Sequence, residues 1–324
     1  MITRRQVVVG AVSLVIGSRA AAQSRNYRVG ILGYAALSGK PFRQAFLTGL
    51  GELGYREGQN LIVESRYVEG RPDRLPAMAM ELIDRGVEVI VLGGELAAKA
   101  VKAAKPTIPI VMVWSLDPVG EGLAASLARP GGNVTGLTFN TGPEQAAKEL
   151  QIFKEALPSI SRIALIWDPA SLGQPAYWRR VNAAAKALSI EMYSVEVRTA
   201  SDVMPALESI RRSRPSAFWL WGSPIINPHR KEIFEFAIKE RIPAFGVPTI
   251  DVEQGCLMAY SVNILDLYRR APGFVDRILK GANPGDLPIE QPTRFELVIN
   301  LKTAKALGLK LPQSILLAAD RVIE

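Results

Sequence analysis

Arg28-Val29-Gly30-Ile31-Leu32-Gly33 and Arg162-Ile163-Ala164-Leu165-Ile166-Trp167 are two apolar runs set 134 positions apart, each followed by a polar turn and then a helical pattern. A second pair keeps the same offset: Ile108-Pro109-Ile110-Val111-Met112-Val113 and Ile242-Pro243-Ala244-Phe245-Gly246-Val247. A third pair, ending at Gly93 and Gly222, is offset by 129, which a loop deletion accounts for. Val- and Ile-rich runs with little polar alternation belong to parallel strands covered on both faces by helices. The equal spacing therefore points to one α/β architecture used twice.

Working outward from these runs, the first half offers strands at Arg28–Gly33, Leu61–Val68, Val87–Leu92, Ile110–Val113 and Val134–Leu137. Between them lie helical patterns at Pro41–Leu53, Leu75–Arg85 and Glu95–Ala104, with a shorter one near Gly122–Ala128. Phe42, Ala45, Phe46, Gly49, Leu50 and Leu53 recur at the three-to-four-residue spacing of a buried helix face. The second half repeats the rhythm, with strands at Ile163–Trp167, Met192–Val197, Ala217–Trp221, Ala244–Val247 and Leu257–Ser261. Its helices are Pro175–Leu188, Val203–Arg212 and Pro228–Glu240. The fold class is α/β: two similar Rossmann-like parallel-sheet lobes with a ligand cleft between them.

A chain of 324 residues, 48% hydrophobic and 22% charged, is long enough for two such lobes without staples. One cysteine (Cys256) and one histidine (His229) cannot build a disulfide or a Cys/His zinc site, so neither metal nor cofactor is expected. No G-x-S-x-G elbow occurs. Gly33 to Lys40 departs from a phosphate loop, with five residues between its glycines and Pro41 where a hydroxyl should hold magnesium. The opening residues combine Arg4-Arg5, an uncharged run from Gln6 to Ser18 and Ala20-Ala21-Ala22, the three parts of an export signal. The arginine pair suits a twin-arginine as well as a Sec signal, and no cysteine follows for a lipid anchor. Residues 1–22 are thus read as an export signal and the mature chain as periplasmic. Their removal lowers the net charge from +8 to +5. With no basic run longer than two residues, a nucleic-acid partner is not expected.

Parallel sheets bind ligands where strand carboxyl ends meet helix N-termini, and clefts between domains are favoured sites. The loops following the strands supply the candidate ligand-binding residues: Tyr34, Gly94, Glu95, Ser115, Asp117, Thr141, Asp168, Trp221, Ser223 and Pro248. Rings suit an apolar body, amide-rich helix starts suit a carboxylate, and an ammonium would need an acid such as Glu95, Asp117 or Asp168. Bland roles compete at several of these. Asp117 before Pro118 reads equally as a helix cap, Glu95 as a favourable charge at a helix start, and His229 as a surface residue. Trp219 and Trp221 share one strand face, with Trp221 at the cleft end. No nucleophile–base pair is visible, so no catalytic residue is assigned.

Longer segments carry a resemblance: Gly54–Asn60 (GYREGQN), Tyr67–Pro76 (YVEGRPDRLP), Asp117–Gly120, Leu127–Gly136 (LARPGGNVTG), Asp266–Ala271, Leu287–Thr293 and Phe295–Leu309. In these the chain resembles the ABC-transporter substrate-binding proteins that include tryptophan/tyrosine-binding components. The resemblance implies a periplasmic binding protein of class I, its lobes joined by a three-crossing hinge near Asn140–Pro143, Tyr260–Asn263 and Glu290–Arg294. Lobe one would then comprise residues 26–140 plus 262–290, and lobe two residues 141–261 plus 291–324. The segment Ile264–Lys280 would be a helix returning to lobe one. Further implications are a monomer, a small-molecule solute, and partners in a membrane permease and its separate ATPase. The first expectation for the solute is a carboxylate-bearing one such as an aromatic amino acid. A ligand-sensing receptor for a membrane signalling protein, or an enzyme on the same scaffold, is the alternative.

Overall fold

The computed structural model describes residues 25–34, 36–139 and 144–324; the export signal expected at residues 1–22 and the crossing expected near Asn140–Pro143 lie outside the described residues. In the first lobe the chain runs β1 (Tyr27–Gly33), α1 (Ala36–Glu52), β2 (Leu61–Tyr67), α2 (Leu75–Asp84), β3 (Val89–Gly93), α3 (Glu95–Ala104), β4 (Ile110–Trp114) and β5 (Val134–Gly136). The strands pair in the order β2-β1-β3-β4-β5, all parallel. The second lobe continues with α4 (Glu144–Ala156), β6 (Arg162–Trp167), α5 (Gln174–Ala187), β7 (Glu191–Glu196), α6 (Val203–Ser213), β8 (Ala217–Trp221), α7 (Arg230–Glu240), β9 (Ala244–Val247) and β10 (Met258–Ser261). After α8 (Ile264–Arg270) and α9 (Pro272–Leu279), the chain closes with β11 (Glu296–Asn300), α10 (Leu301–Leu307), α11 (Gln313–Ala318) and β12 (Arg321–Ile323). The second sheet reads β12-β11-β10-β9-β8-β6-β7, parallel except for the β10–β11 pair. Its β7-β6-β8-β9-β10 portion repeats the order of the first sheet.

Strand alternation divides each core into two layers. Val29, Ile31, Val89, Val91, Val111 and Val113 pack beneath α1, α8 and α9, while Leu32, Ile90, Leu92, Ile110 and Met112 pack beneath α2 and α3. In the second lobe Ile163, Leu165, Trp219 and Phe245 lie against α4, α5, α10 and α11, and Ala164, Ile166, Phe218 and Leu220 against α6 and α7. The chain passes from β10 to the first lobe at Ser261–Val262, since Val262 is already in the first core. It returns between Glu290, which bridges Leu137, and Phe295, which stacks on Tyr260.

Three expectations are corrected. Gly122–Ala128 is a series of turns, because Gly122 adopts φ +70° and the Leu123 and Ala124 amides both fold back on the Pro118 carbonyl. The Ile264–Lys280 helix is split at Ala271, because Pro272 has no amide hydrogen to continue the ladder. The third repeat offset is 128, as Leu32 pairs with Leu92 where Ile166 pairs with Leu220. Gly94 is therefore the counterpart of Gly222.

Gly49 sits where α1 crosses α8: a Cβ there would overlap the Arg269 carbonyl oxygen and lie 2.9 Å from the Pro272 ring. Glycine-to-alanine changes in exposed helix interiors stabilise by up to about 1 kcal/mol. Here Gly49→Ala is expected to destabilise by about 1–3 kcal/mol through overpacking, read by urea unfolding. A more stable variant would mean that the α1–α8 packing relaxes freely.

Candidate functional site

The carboxyl ends of β1, β3, β4, β6, β8 and β9 face the space between the lobes, so six post-strand loops converge there. Tyr34 follows β1, Gly94 and Glu95 follow β3, and Asp117 follows β4; Asp168 follows β6, Trp221 ends β8 with Ser223 after it, and Pro248 follows β9. These eight line one cavity of about 430 Å³. Ser115 is not on its wall: strand alternation turns Trp114 and Leu116 to the cavity and Ser115 inward, where its carbonyl accepts from the Phe139 amide and the Thr138 hydroxyl. Thr141 lies outside the described residues.

The equivalent glycines make room for the wall. Gly94 has φ +83°, and a Cβ on it would lie 2.9 Å from the Tyr34 hydroxyl and 3.0 Å from the Trp114 ring. A Cβ on Gly222 would overlap the Arg230 guanidinium. Glycine at these two positions lets a ring and a cation reach the cavity from behind the loops.

The first-lobe wall is aromatic. Tyr34 is tilted against Trp114 at 6.2 Å, Trp114 stacks on Phe139 at 5.9 Å, and Phe42 stacks on Tyr268 at 5.1 Å. Burial pushes the Tyr34 phenol well above its usual range, and the Ala97 amide at the start of α3 donates to it. Burial likewise raises Tyr268, which accepts from the Trp114 indole N–H. The second lobe adds Trp221 with Tyr177 at 4.4 Å. Trp219 stays in the core, edge-on to Trp221.

The acids expected from the sequence hold loops in place. One Glu95 oxygen accepts the amides of Leu116 and Asp117, fixing the β4 loop to α3. Burial raises the Glu95 carboxyl and these amides pull it back. Asp117 accepts the Gly120 amide at 2.9 Å and so closes a turn, since no helix starts at Pro118 for it to cap. Asp168 accepts the Ala170 amide at 2.9 Å and a bond from Ser223; burial is the larger influence and raises it. Ser223 in turn accepts the Ile225 and Ile226 amides, and Gln174 ties the Asp168 amide to the Gly222 carbonyl.

The charged wall residues Glu149, Arg230 and Asp251 were not anticipated. Glu149 on α4 accepts from the Tyr177 hydroxyl at 2.5 Å and from Gln145 at 3.0 Å, and burial pushes its carboxyl up to about 7. Its sequence signal is an acid inside the stripe Ala146, Glu149, Leu150, Phe153, on a helix that the sequence reading left unassigned. Arg230 on α7 pairs with Asp251, and also donates to Asn227 at 3.0 Å and to the Val247 carbonyl at 3.1 Å. Burial pushes the Asp251 carboxyl up and Arg230 pulls it down. Nothing local marks Arg230 and Asp251, which meet across 21 positions.

The lobes also touch directly. The Gly173 amide donates to Glu121 at 3.3 Å, Leu116 lies against Gly173, and Gly70 faces Pro224 and Pro228. Among the described residues no group of three or more His, Cys, Asp or Glu could hold a metal ion, and no helix is long and apolar enough to cross a membrane.

Over residues 38–323 the chain matches the family model for ABC transporter substrate binding proteins, and it belongs to that family. It is 24% identical over 268 residues to a tyrosine-binding protein of Clostridioides difficile, covering 83% of this chain and 76% of the relative. A conserved domain protein from Vibrio cholerae has a similar structure, with a TM-score of 0.85, 26% identity, and coverage of 92% of this chain and all of the other. The ABC domain in complex with L-Trp from Streptococcus pneumonia shares the fold with a TM-score of 0.85, 24% identity and the same coverage.

Proposed function

We propose that this member of the ABC transporter substrate-binding family captures an aromatic amino acid, tyrosine or tryptophan, and delivers it to a membrane permease driven by a separate ATPase. The observation that carries this reading is the cavity between the lobes, faced by aromatic rings from both: Tyr34, Trp114 and Phe139 on one side, Trp221 and Tyr177 on the other. An apolar ring of the solute would be buried between them, while its carboxylate meets the start of α3 and the Arg230 guanidinium. The tyrosine- and L-Trp-binding relatives support this solute class.

On this reading the chain is a periplasmic receptor and not an enzyme, exported by residues 1–22, and active as a monomer. The two lobes, 26–140 with 262–290 and 141–261 with 291–324, open and close about the three crossings. Contacts such as Gly173–Glu121 belong to the closed arrangement.

Calorimetry with tyrosine and tryptophan tests the reading. Tyr34→Ala and Trp114→Ala are each expected to weaken binding tenfold or more, about 1.4 kcal/mol, with thermal unfolding reporting the fold. Unchanged affinity in both folded variants would move the solute away from this wall.

A further inference from the structure

We propose that Glu149 pairs with a protonated amine on the captured solute, so that the site selects amine-bearing acids over their deaminated counterparts. The inference rests on reading the cleft as a solute site, and it names the residue that sets the selection.

What neutralises each wall acid decides between them. Glu95 is the first residue of α3, where the helix dipole and three backbone amides stabilise its charge. Asp168 accepts two turn amides and the Ser223 hydroxyl, with Arg198 acting on it as well. Asp251 has Arg230, and Asp117 caps its own turn. Glu149 is different. It lies mid-helix on α4, is 4% exposed, and among the described residues is held by two neutral donors, the Tyr177 hydroxyl and the Gln145 amide. No ion pair joins it to Lys, Arg or His among the described residues.

A buried carboxylate without a cation is costly, and carboxyls in that position either stay protonated or acquire a partner. Burial accordingly raises the Glu149 carboxyl to about 7. Of the ionisable groups around it, Tyr177 on α5 donates to it and Tyr260 on β10 feels its charge. Arg180 on α5 acts on Tyr177, and α11 contributes no ionisable group. The open side of the carboxyl is the cavity. Tyr177 joins the two recognition elements, since its hydroxyl holds Glu149 while its ring lies 4.4 Å from Trp221. An amine at Glu149 would therefore place the body of the solute against these rings.

The test is calorimetry at pH 7.5 on the mature chain and on Glu149→Gln, using three ligand pairs: tyrosine and para-hydroxyphenylpropionate, tryptophan and indolepropionate, leucine and isocaproate. Wild type is expected to prefer the amine of a bound pair by about tenfold or more, roughly 1.4 kcal/mol. In Glu149→Gln the two members should come within about threefold, with the deaminated acid bound as before. Tyr177→Phe keeps the ring and removes the donor that steadies the carboxylate, and should lower the preference at least about threefold. It serves as the readout if Glu149→Gln fails to fold. A preference that survives in the folded variant overturns the proposal, as does a wild type that takes deaminated acids equally or captures no amine. Capture of leucine alone, with its preference lost in Glu149→Gln, would uphold Glu149 while ending the aromatic reading.

Discussion

Replacing Arg230 with methionine is expected to lower folding stability by about 3–5 kcal/mol, because it strands a buried charge. Asp251 is fully buried, one of its oxygens pairs with Arg230, and the other has no hydrogen-bond partner among the described residues. Without the guanidinium the carboxyl must ionise alone or take up a proton. The native state then binds more protons than the unfolded chain, so the loss should be smaller at pH 5 than at pH 8. Arg230→Met with Asp251→Asn should recover much of the single-variant loss, since neither residue then carries a charge. Chemical unfolding of both variants at the two pH values checks this. A single variant as stable as the double, or a loss independent of pH, would mean that water reaches Asp251. Solute affinity should fall as well, because Arg230 also fixes the β9 end through the Val247 carbonyl.

The second large effect is a pH dependence set by Glu149. Its carboxyl is raised from 4.5 to about 7 by burial, against the opposing bonds from Tyr177 and Gln145. Where the native state keeps the proton and the unfolded chain has ionised, each rise in pH favours the unfolded chain. Stability contributed by this group is therefore greatest at low pH, falls as pH rises from about 4.5 to 7, and is level above that. The shift corresponds to about 3 kcal/mol. Glu149→Gln keeps the acceptor for Tyr177 and cannot ionise, so it should lack this fall. The measured quantity is the difference between wild type and variant in urea unfolding from about pH 4 to about pH 8, which cancels the other carboxyls. Parallel pH curves would show that Glu149 titrates normally. A saturating amine solute should flatten the wild-type curve by holding the carboxylate charged.

Legibility varied with how local the physics is. Val89–Gly93 is buried at every position, and its apolar run announces a strand without help from its neighbours. Glu95–Ala104 begins and ends where its pattern does. The Gly122–Ala128 pattern failed because two glycines and the Pro118 carbonyl offered the backbone turns instead of a ladder. Helix α4 was passed over because Glu149 interrupts its apolar stripe, and that interruption is the feature of greatest functional interest. Strand β11 lies in the recognised Phe295–Leu309 segment but was not assigned; it pairs with β10 across 41 positions, from Met258 to Ile299, in the one antiparallel step of its sheet.

By itself the sequence determined the doubled α/β architecture, the strand ends that would form the cleft, and the family. The first two follow from apolar periodicity and turn residues, which act between near neighbours along the chain, and the family from the resemblance of segments such as Tyr67–Pro76 and Leu127–Gly136. The tertiary structure decided which wall groups are already engaged. Glu95 and Asp117 read in the sequence either as helix-start residues or as ligand contacts, and Asp168 as a ligand contact; all three became loop clasps once backbone amides were brought to them. Arg230 found Asp251, and Glu149 was left in the wall with two neutral donors. A carboxylate's character depends on what desolvates it and what charge lies within a few ångströms, and those neighbours come from distant parts of the chain.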